Sequence, residues 1–321
     1  MKLLLAMAMV VVVVAGSATA QEPAHVFRLG IIAPSETAIS LVRQHTLPEL
    51  ARRGFIKGKN LAVEERFGTP EKIAELARTL IRTRPDVVIA VSELAIRPIL
   101  EEDPTVPVVM SFIGSDPVKA GLAASISRPG GRVTGLMMLA DLLDAKRLEI
   151  LQEAVPTTKR IAVLRGRPPR HDRSIEGLSD RAKKLGLELH YFYADDPTDY
   201  PPAFERMRAE RVQALLIVSA PDFAQDAAIL SNAATQIGIP TMCEWDFMAR
   251  EGCLLSYGPV NAELRRRTAA FVAQILRGVP AGDLPIEGPV TFEFVVNLRT
   301  AVALNLKMPP TILARADEVV D

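Results

Sequence analysis

Short apolar runs alternate with amphipathic stretches along almost the whole chain, and this alternation narrows the fold more than any other feature. Val26–Ala33, Leu61–Glu65, Asp86–Val91 and Val106–Ser111 each read as a buried strand. Between them lie helical patterns: Ala38–Arg53, with Ile39, Val42, Leu47 and Leu50 apolar and Gly54 stopping it, then Pro70–Arg84, then a stretch opened by Ser92 and Glu93. After Asp141 the rhythm restarts. Helices over Leu143–Ala154, Ser174–Leu185, Tyr200–Arg211 and Asp222–Ile237 separate strands at Arg160–Leu164, Leu187–Tyr193, Ala214–Val218 and Pro240–Glu244. A strand Leu254–Tyr257, a long amphipathic helix Asn261–Arg277, a strand Phe292–Asn297 and a helix Leu298–Leu306 follow, with order expected to Ala314. Strand and helix in strict turn predict an α/β fold of parallel sheets covered by helices on both faces. No low-complexity linker interrupts the pattern, so two doubly wound lobes joined by short crossing segments fit better than tethered domains.

The first twenty residues stand apart from this pattern. Lys2 is followed by the apolar run Leu3–Ala15 and by Ala18-Thr19-Ala20, the arrangement of an export signal cleaved after Ala20. The run is short for a bilayer span, and no cysteine at the cleavage site suggests a lipid anchor. A periplasmic protein with no membrane anchor is the expectation. Without Lys2 the chain holds 37 basic and 38 acidic residues, and this balance argues against a nucleic-acid partner, which needs a basic field. Arg265–Arg267, the densest basic run, lies in a helical pattern and reads as a solvated face.

Cys243 and Cys253 are the only cysteines, placed at the starts of two neighbouring strands. An oxidising compartment permits a bridge, but two buried thiols are the favoured reading. Neither they nor His25, His45, His171 and His190 have zinc-binding spacing, so no metal or other cofactor is expected.

In open parallel sheets ligands bind beyond the carboxyl ends of strands, where loops and helix N-termini converge. That rule selects Ser35, Ser92, Glu93, Ser115 and Asp116 in the first half, and Arg165, Ser219, Asp222, Glu244, Trp245 and Tyr257 in the second. Hydroxyls and free backbone N–H groups suit a carboxylate, whereas a cationic amine would want Asp116, Asp222 or Glu244. Each has a plainer role open to it. Ser35, Ser92 and Asp222 serve equally as N-caps, and Asp116 before Pro117 looks like the cap of a short helix ended by Arg128-Pro129-Gly130-Gly131. Trp245 either stacks on a ligand ring or plugs the core. Tyr257 has the alternative of a core tyrosine bonded to backbone. Arg165 offers a bidentate contact to an acid group, although a solvated loop arginine is the favoured reading. Catalytic motifs are missing: there is no G-x-S-x-G elbow, no P-loop and no G-x-G-x-x-G after a strand.

The stretch Asp116–Gly135, DPVKAGLAASISRPGGRVTG, resembles the signature of bacterial ABC-transporter substrate-binding proteins of the tryptophan/tyrosine-uptake type, which have a type I periplasmic-binding-protein fold. EGCLLSYG at Glu251–Gly258 agrees, as do DLPIEGPVTFEFVVNLRTAVALNL from Asp283 and LARADEVV near the C-terminus. The family usually has glycine where Cys253 stands, so a bridge would be particular to this chain. The resemblance sends the Asn261–Arg277 helix back to the first lobe. It implies residues 21–138 with 259–283 as one lobe, and 139–258 with 284–321, including Phe292–Asn297, as the other. The implied function is capture of a small-molecule ligand, an amino acid or other small carboxylate, aromatic ones included. A monomer then delivers it to an ABC-type inner-membrane permease. A periplasmic sensing module that presents its ligand to a membrane receptor has the same fold and is the alternative; an enzyme on this scaffold is disfavoured.

Overall fold

The computed structural model describes residues 25–91, 93–167 and 176–321. The export segment and part of the basic loop after Arg167 lie outside these. Strands β1 (Phe27–Ala33), β2 (Leu61–Phe67), β3 (Val87–Ala90), β4 (Val108–Ile113) and β5 (Val133–Met137) form one sheet in the order β2-β1-β3-β4-β5, all parallel. All four residues of β3 are buried, as expected for a central strand covered on both faces.

Helices cover both faces of this sheet. Helix α1 (Glu36–Leu41) passes through a π-helical turn, Val42–Thr46, into α2 (Leu47–Arg52). The π turn precedes Pro48, whose missing N–H breaks regular i→i−4 bonding, so the single predicted helix is divided there. Helix α3 (Pro70–Ile81) buries Ile73, Ala77, Leu80 and Ile81, one stripe at helical spacing, and α4 (Glu93–Glu102) packs beside it.

Helix α5 (Ala140–Ala154) leads into the second sheet. Strands β6 (Arg160–Arg165) and β7 (Glu188–Tyr193) flank α6 (Glu176–Leu185), and α7 (Tyr200–Ala209) precedes β8 (Ala214–Ile217). Helices α8 (Pro221–Gln225) and α9 (Ala227–Gln236) lead to β9 (Thr241–Cys243), and α10 (Asp246–Arg250) leads to β10 (Leu255–Pro259). Helix α11 (Asn261–Leu276) returns to pack on β3, β4, β5 and α2, with Ser111 and Thr268 hydroxyls 3.2 Å apart across the contact. Strand β11 (Phe292–Asn297), α12 (Leu298–Ala303), α13 (Pro310–Leu313) and β12 (Glu318–Val320) complete the chain. The second sheet runs β12-β11-β10-β9-β8-β6-β7, with the β10–β11 pairing antiparallel and the others parallel. Order therefore continues past Ala314, because β12 finds an edge on β11.

Several sequence expectations change. Asp116 caps no helix: its Oδ1 accepts from Val118 N–H at 2.9 Å and Lys119 N–H at 3.3 Å, and Gly121 at φ +70° ends the structure after one turn. Arg265 is not on a solvated face. It is 3 % exposed, because α11 is wedged against the first sheet, and burial lowers its pKa to about 9. Cys243 and Cys253 are joined by a disulfide rather than left as two thiols, because their Cα atoms approach to 6.4 Å where β9 ends and β10 is about to begin. No helix among the described residues is long and apolar enough to cross a membrane.

Closing a loop of this length is worth about 2–3 kcal/mol in the unfolded-state entropy model. The double variant Cys243→Ala/Cys253→Ala should lose about that much in urea unfolding. Thiol titration of the denatured wild type should find no free thiol before reduction and two after it.

Candidate functional site

The chain passes between the two sheets three times, and every passage lies at the same ends of the strands. Strand β5 finishes at Met137, and α5 begins at Ala140. Strand β10, parallel to β9, finishes at Pro259, and α11 begins at Asn261. For the third passage, Glu287 bridges Leu136 on the first sheet and Phe292 pairs with Pro259 on the second. These points lie at the carboxyl ends of β5 and β10, the antiparallel β11 starting beside the end of β10, so the two carboxyl edges face one another.

The passages also touch. Val260 N–H donates to the Thr291 carbonyl at 3.0 Å, and a Cβ on Gly288 would lie 3.1 Å from Leu139 Cδ1. The third passage is zipped to the first sheet before it crosses. The Thr134 hydroxyl donates to Leu284 O at 2.7 Å, Ile286 N–H to Ile126 O at 2.8 Å, and Glu287 N–H to Gly135 O at 2.9 Å. Arg267 of α11 pairs with Glu287 as well. Residues 284–287, assigned by sequence to the second lobe, are thus bonded to the first sheet, leaving Gly288–Thr291 as the crossing.

The glycines of the signature serve this junction. Gly130 N–H donates to Gly282 O at 3.0 Å, and a Cβ on Gly282 would come within 2.8 Å of Gly131 O. At Gly135, φ is +120° and a Cβ would stand 2.3 Å from Met110 O, so only glycine permits β5 to pair with β4 there.

At the first carboxyl edge, Ser35 is the N-cap of α1, its Oγ accepting from Ala38 N–H at 3.2 Å, and it remains half-buried. Ser115 donates to Glu93 Oε1 at 2.6 Å, bringing two candidates together beyond β3 and β4. Asp116 is exposed and committed to its turn, and Ser92 lies outside the described residues.

The second edge is more deeply built. Arg165 closes β6 and is 7 % exposed, which overturns the solvated reading. Ser219 and Asp222 follow β8 and are partly buried. Glu244 is 2 % exposed and Trp245 7 %, the indole packing into the core at the N-cap position of α10. Tyr257 is partly buried and stacks on Phe292, ring centroids 5.8 Å apart and planes 11° apart, beside the crossings.

Beneath this edge lies a residue that pattern reading passed over. Arg147, midway along α5, is fully buried. Its Nε donates to Tyr257 O at 2.7 Å, one Nη to Asp144 Oδ1 at 2.6 Å, and the other to Glu244 Oε1 at 3.3 Å. One guanidinium therefore fastens the helix after the first crossing to the strand before the second. In sequence, the spacing Asp144–Arg147 looks like an ordinary surface i,i+3 pair, and only the packing of α5 on β9 and β10 reveals its role.

Further out, Arg167 pairs with Asp195 at 3.0 Å and with Asp199 at 2.7 Å. The Arg167 guanidinium, helped by the Asp195 backbone N–H, holds the Asp199 carboxyl at about 2. This cluster is half-exposed, and ion pairs so placed contribute little to stability. No group of side chains among the described residues is arranged to hold a metal ion.

Removing one partner of a buried ion network leaves the other charges uncompensated, at a cost of about 3–5 kcal/mol. Arg147→Ala should lose stability of that order, read as a lower denaturant midpoint with an unchanged m-value.

Comparison with known proteins agrees with this geometry. A tyrosine-binding protein of Clostridioides difficile (strain R20291) is 23% identical over 282 residues, covering 84% of this chain and 80% of that protein. A conserved domain protein from Vibrio cholerae superimposes with a TM-score of 0.84 at 25% identity, covering 91% of this chain and 99% of that one. An ABC domain from Streptococcus pneumonia in complex with L-Trp gives 0.82 at 22% identity, covering 92% and 100%. The family described as ABC transporter substrate binding protein matches residues 32–320, and the chain belongs to that non-enzymatic binding family.

Proposed function

We propose that this protein captures an aromatic amino acid between its two facing carboxyl edges and, as an exported periplasmic protein, delivers it to an ABC-type inner-membrane permease. The observation that carries the reading is the placement of all three crossings between those edges. A rotation about Met138–Leu139, Val260 and Gly288–Thr291 opens or closes the gap without disturbing either sheet. Residues 25–138 with 261–287 form the first lobe, and 139–259 with 288–321 the second. A ligand touching both lobes makes its full contacts only in the closed form, and that differential affinity drives closure.

The tyrosine-binding and L-Trp-bound relatives support an aromatic amino acid. Ser35, Ser115 and Glu93 supply polar groups from the first lobe; Arg165, Tyr257 and the Glu244-Trp245 pair supply charge and aromatic surface from the second. The Lys2–Ala20 segment supports export.

Thermal unfolding of ligand-stripped mature protein against a panel of amino acids and small carboxylates tests this. A ligand at a hundred times its dissociation constant adds about 2.7 kcal/mol, a shift of a few degrees. Tyrosine or tryptophan should produce it, and a flat response across the panel would sink the ligand class. In the same assay Trp245→Ala should bind about tenfold or more weakly, as loss of an aromatic anchor does, and its unliganded melting point should also fall because the indole packs into the core.

A further inference from the structure

Resting on that reading, we propose that Phe67 and Tyr193 close against each other across the mouth of the cleft. They set how long the ligand stays without touching it.

The two halves of the chain repeat one another. The first sheet runs β2-β1-β3-β4-β5, and the corresponding strands of the second run β7-β6-β8-β9-β10. In each half the last strand of the series leads into a crossing, and the second strand forms the edge furthest from it. Phe67 is the last residue of β2, in register with Ala33 at the end of β1. Tyr193 is the last residue of β7, in register with Arg165 at the end of β6. The two rings therefore hold equivalent places on the two facing carboxyl edges. Each lies four strand spacings from the strand that leads into a crossing, about 19 Å at the usual separation. A rotation about the crossings moves these two strand ends further than any other pair in the repeat.

Exposure singles the two residues out. Among the residues whose side chains are described, Phe67 at 47 % and Tyr193 at 38 % are the only exposed Phe, Tyr or Trp residues. The charges beside them are already engaged within each lobe: Glu65 with Arg43 and Lys57, and Arg167 with Asp195 and Asp199. Aromatic surface is thus what each lip has to offer the other. A ring pair brought together on closing gains from the area it buries and from its edge or stacked geometry. That gain exists only in the closed form, so it slows opening and release while leaving encounter with the open form little changed.

Stopped-flow kinetics with L-tyrosine and L-tryptophan on the mature protein test this. Phe67→Ala and Tyr193→Ala should each release both amino acids about 3–10-fold faster, by the same factor for the two ligands, with association rates within about twofold. The double variant should release no faster than the faster single variant, because either truncation already removes the contact. Tyr193→Phe keeps the ring and should release at the wild-type rate. Unliganded melting points should stay within about a degree, since both side chains are exposed. Unchanged release in the single variants, or effects that multiply in the double variant, would show that the rings do not meet. A factor that differs between tyrosine and tryptophan would show a ring touching the ligand instead. Any of these results overturns the inference while the binding function stands. If the wild type binds neither amino acid, the proposed ligand class falls and this inference with it.

Discussion

The architecture depends on one topological constraint: the chain crosses between the two sheets beside the carboxyl ends of β5 and β10. A parallel sheet collects those ends along a single edge. Joining two such edges by crossings as short as Met138–Leu139 and Val260 leaves the edges no choice but to face each other. The loops that form binding sites in open α/β sheets are thereby brought together from both sides. The facing edges need no long linker, and the crossings brace one another through Val260, Thr291, Gly288 and Leu139.

The buried polar groups follow from the same constraint. Helix α5 starts at the first crossing, so its opening turns lie under the second carboxyl edge, where β9 has already ended and β10 continues. The Tyr257 carbonyl there has lost its neighbouring strand, and the Arg147 side chain takes that place. A guanidinium buried so deeply is tolerable only because Asp144 and Glu244 compensate it. The exposed Arg167 cluster has the same chemistry in water and far less consequence for the fold.

Much of this was legible in the residues. The apolar runs located the strands because a strand covered on both faces must be apolar throughout, as β3 is. Pro and Gly marked the breaks, and the carboxyl-edge rule on its own reached Arg165, Glu244 and Tyr257. Burial was harder to read. Arg165 and Arg265 look like solvent residues locally, and each is buried by an element distant in sequence or by its place at a strand end. Asp116-Pro117 carries a valid helix-start signal, but Gly121 turns the chain before a helix can grow. The cysteine pair depended on the approach of two strand ends, which spacing alone does not report.

By itself the sequence determined the fold class, the order of the elements and the positions of the turns, because periodicity and backbone chemistry act over a few residues. It also determined which glycines belong to the signature, though not why they are needed. The tertiary structure alone decided that Gly135 must admit Met110, that Gly282 must admit the Gly130-Gly131 turn, and that residues 284–287 bond to the first sheet. It alone gathered Arg147, Asp144, Glu244 and Tyr257 into one network. Apart from Gly135 with Met110 and Arg147 with Asp144, these are contacts between segments more than ninety residues apart, such as Arg147 with Glu244 and with Tyr257. Whether two such segments meet depends on how the sheets pack, and no local pattern encodes that.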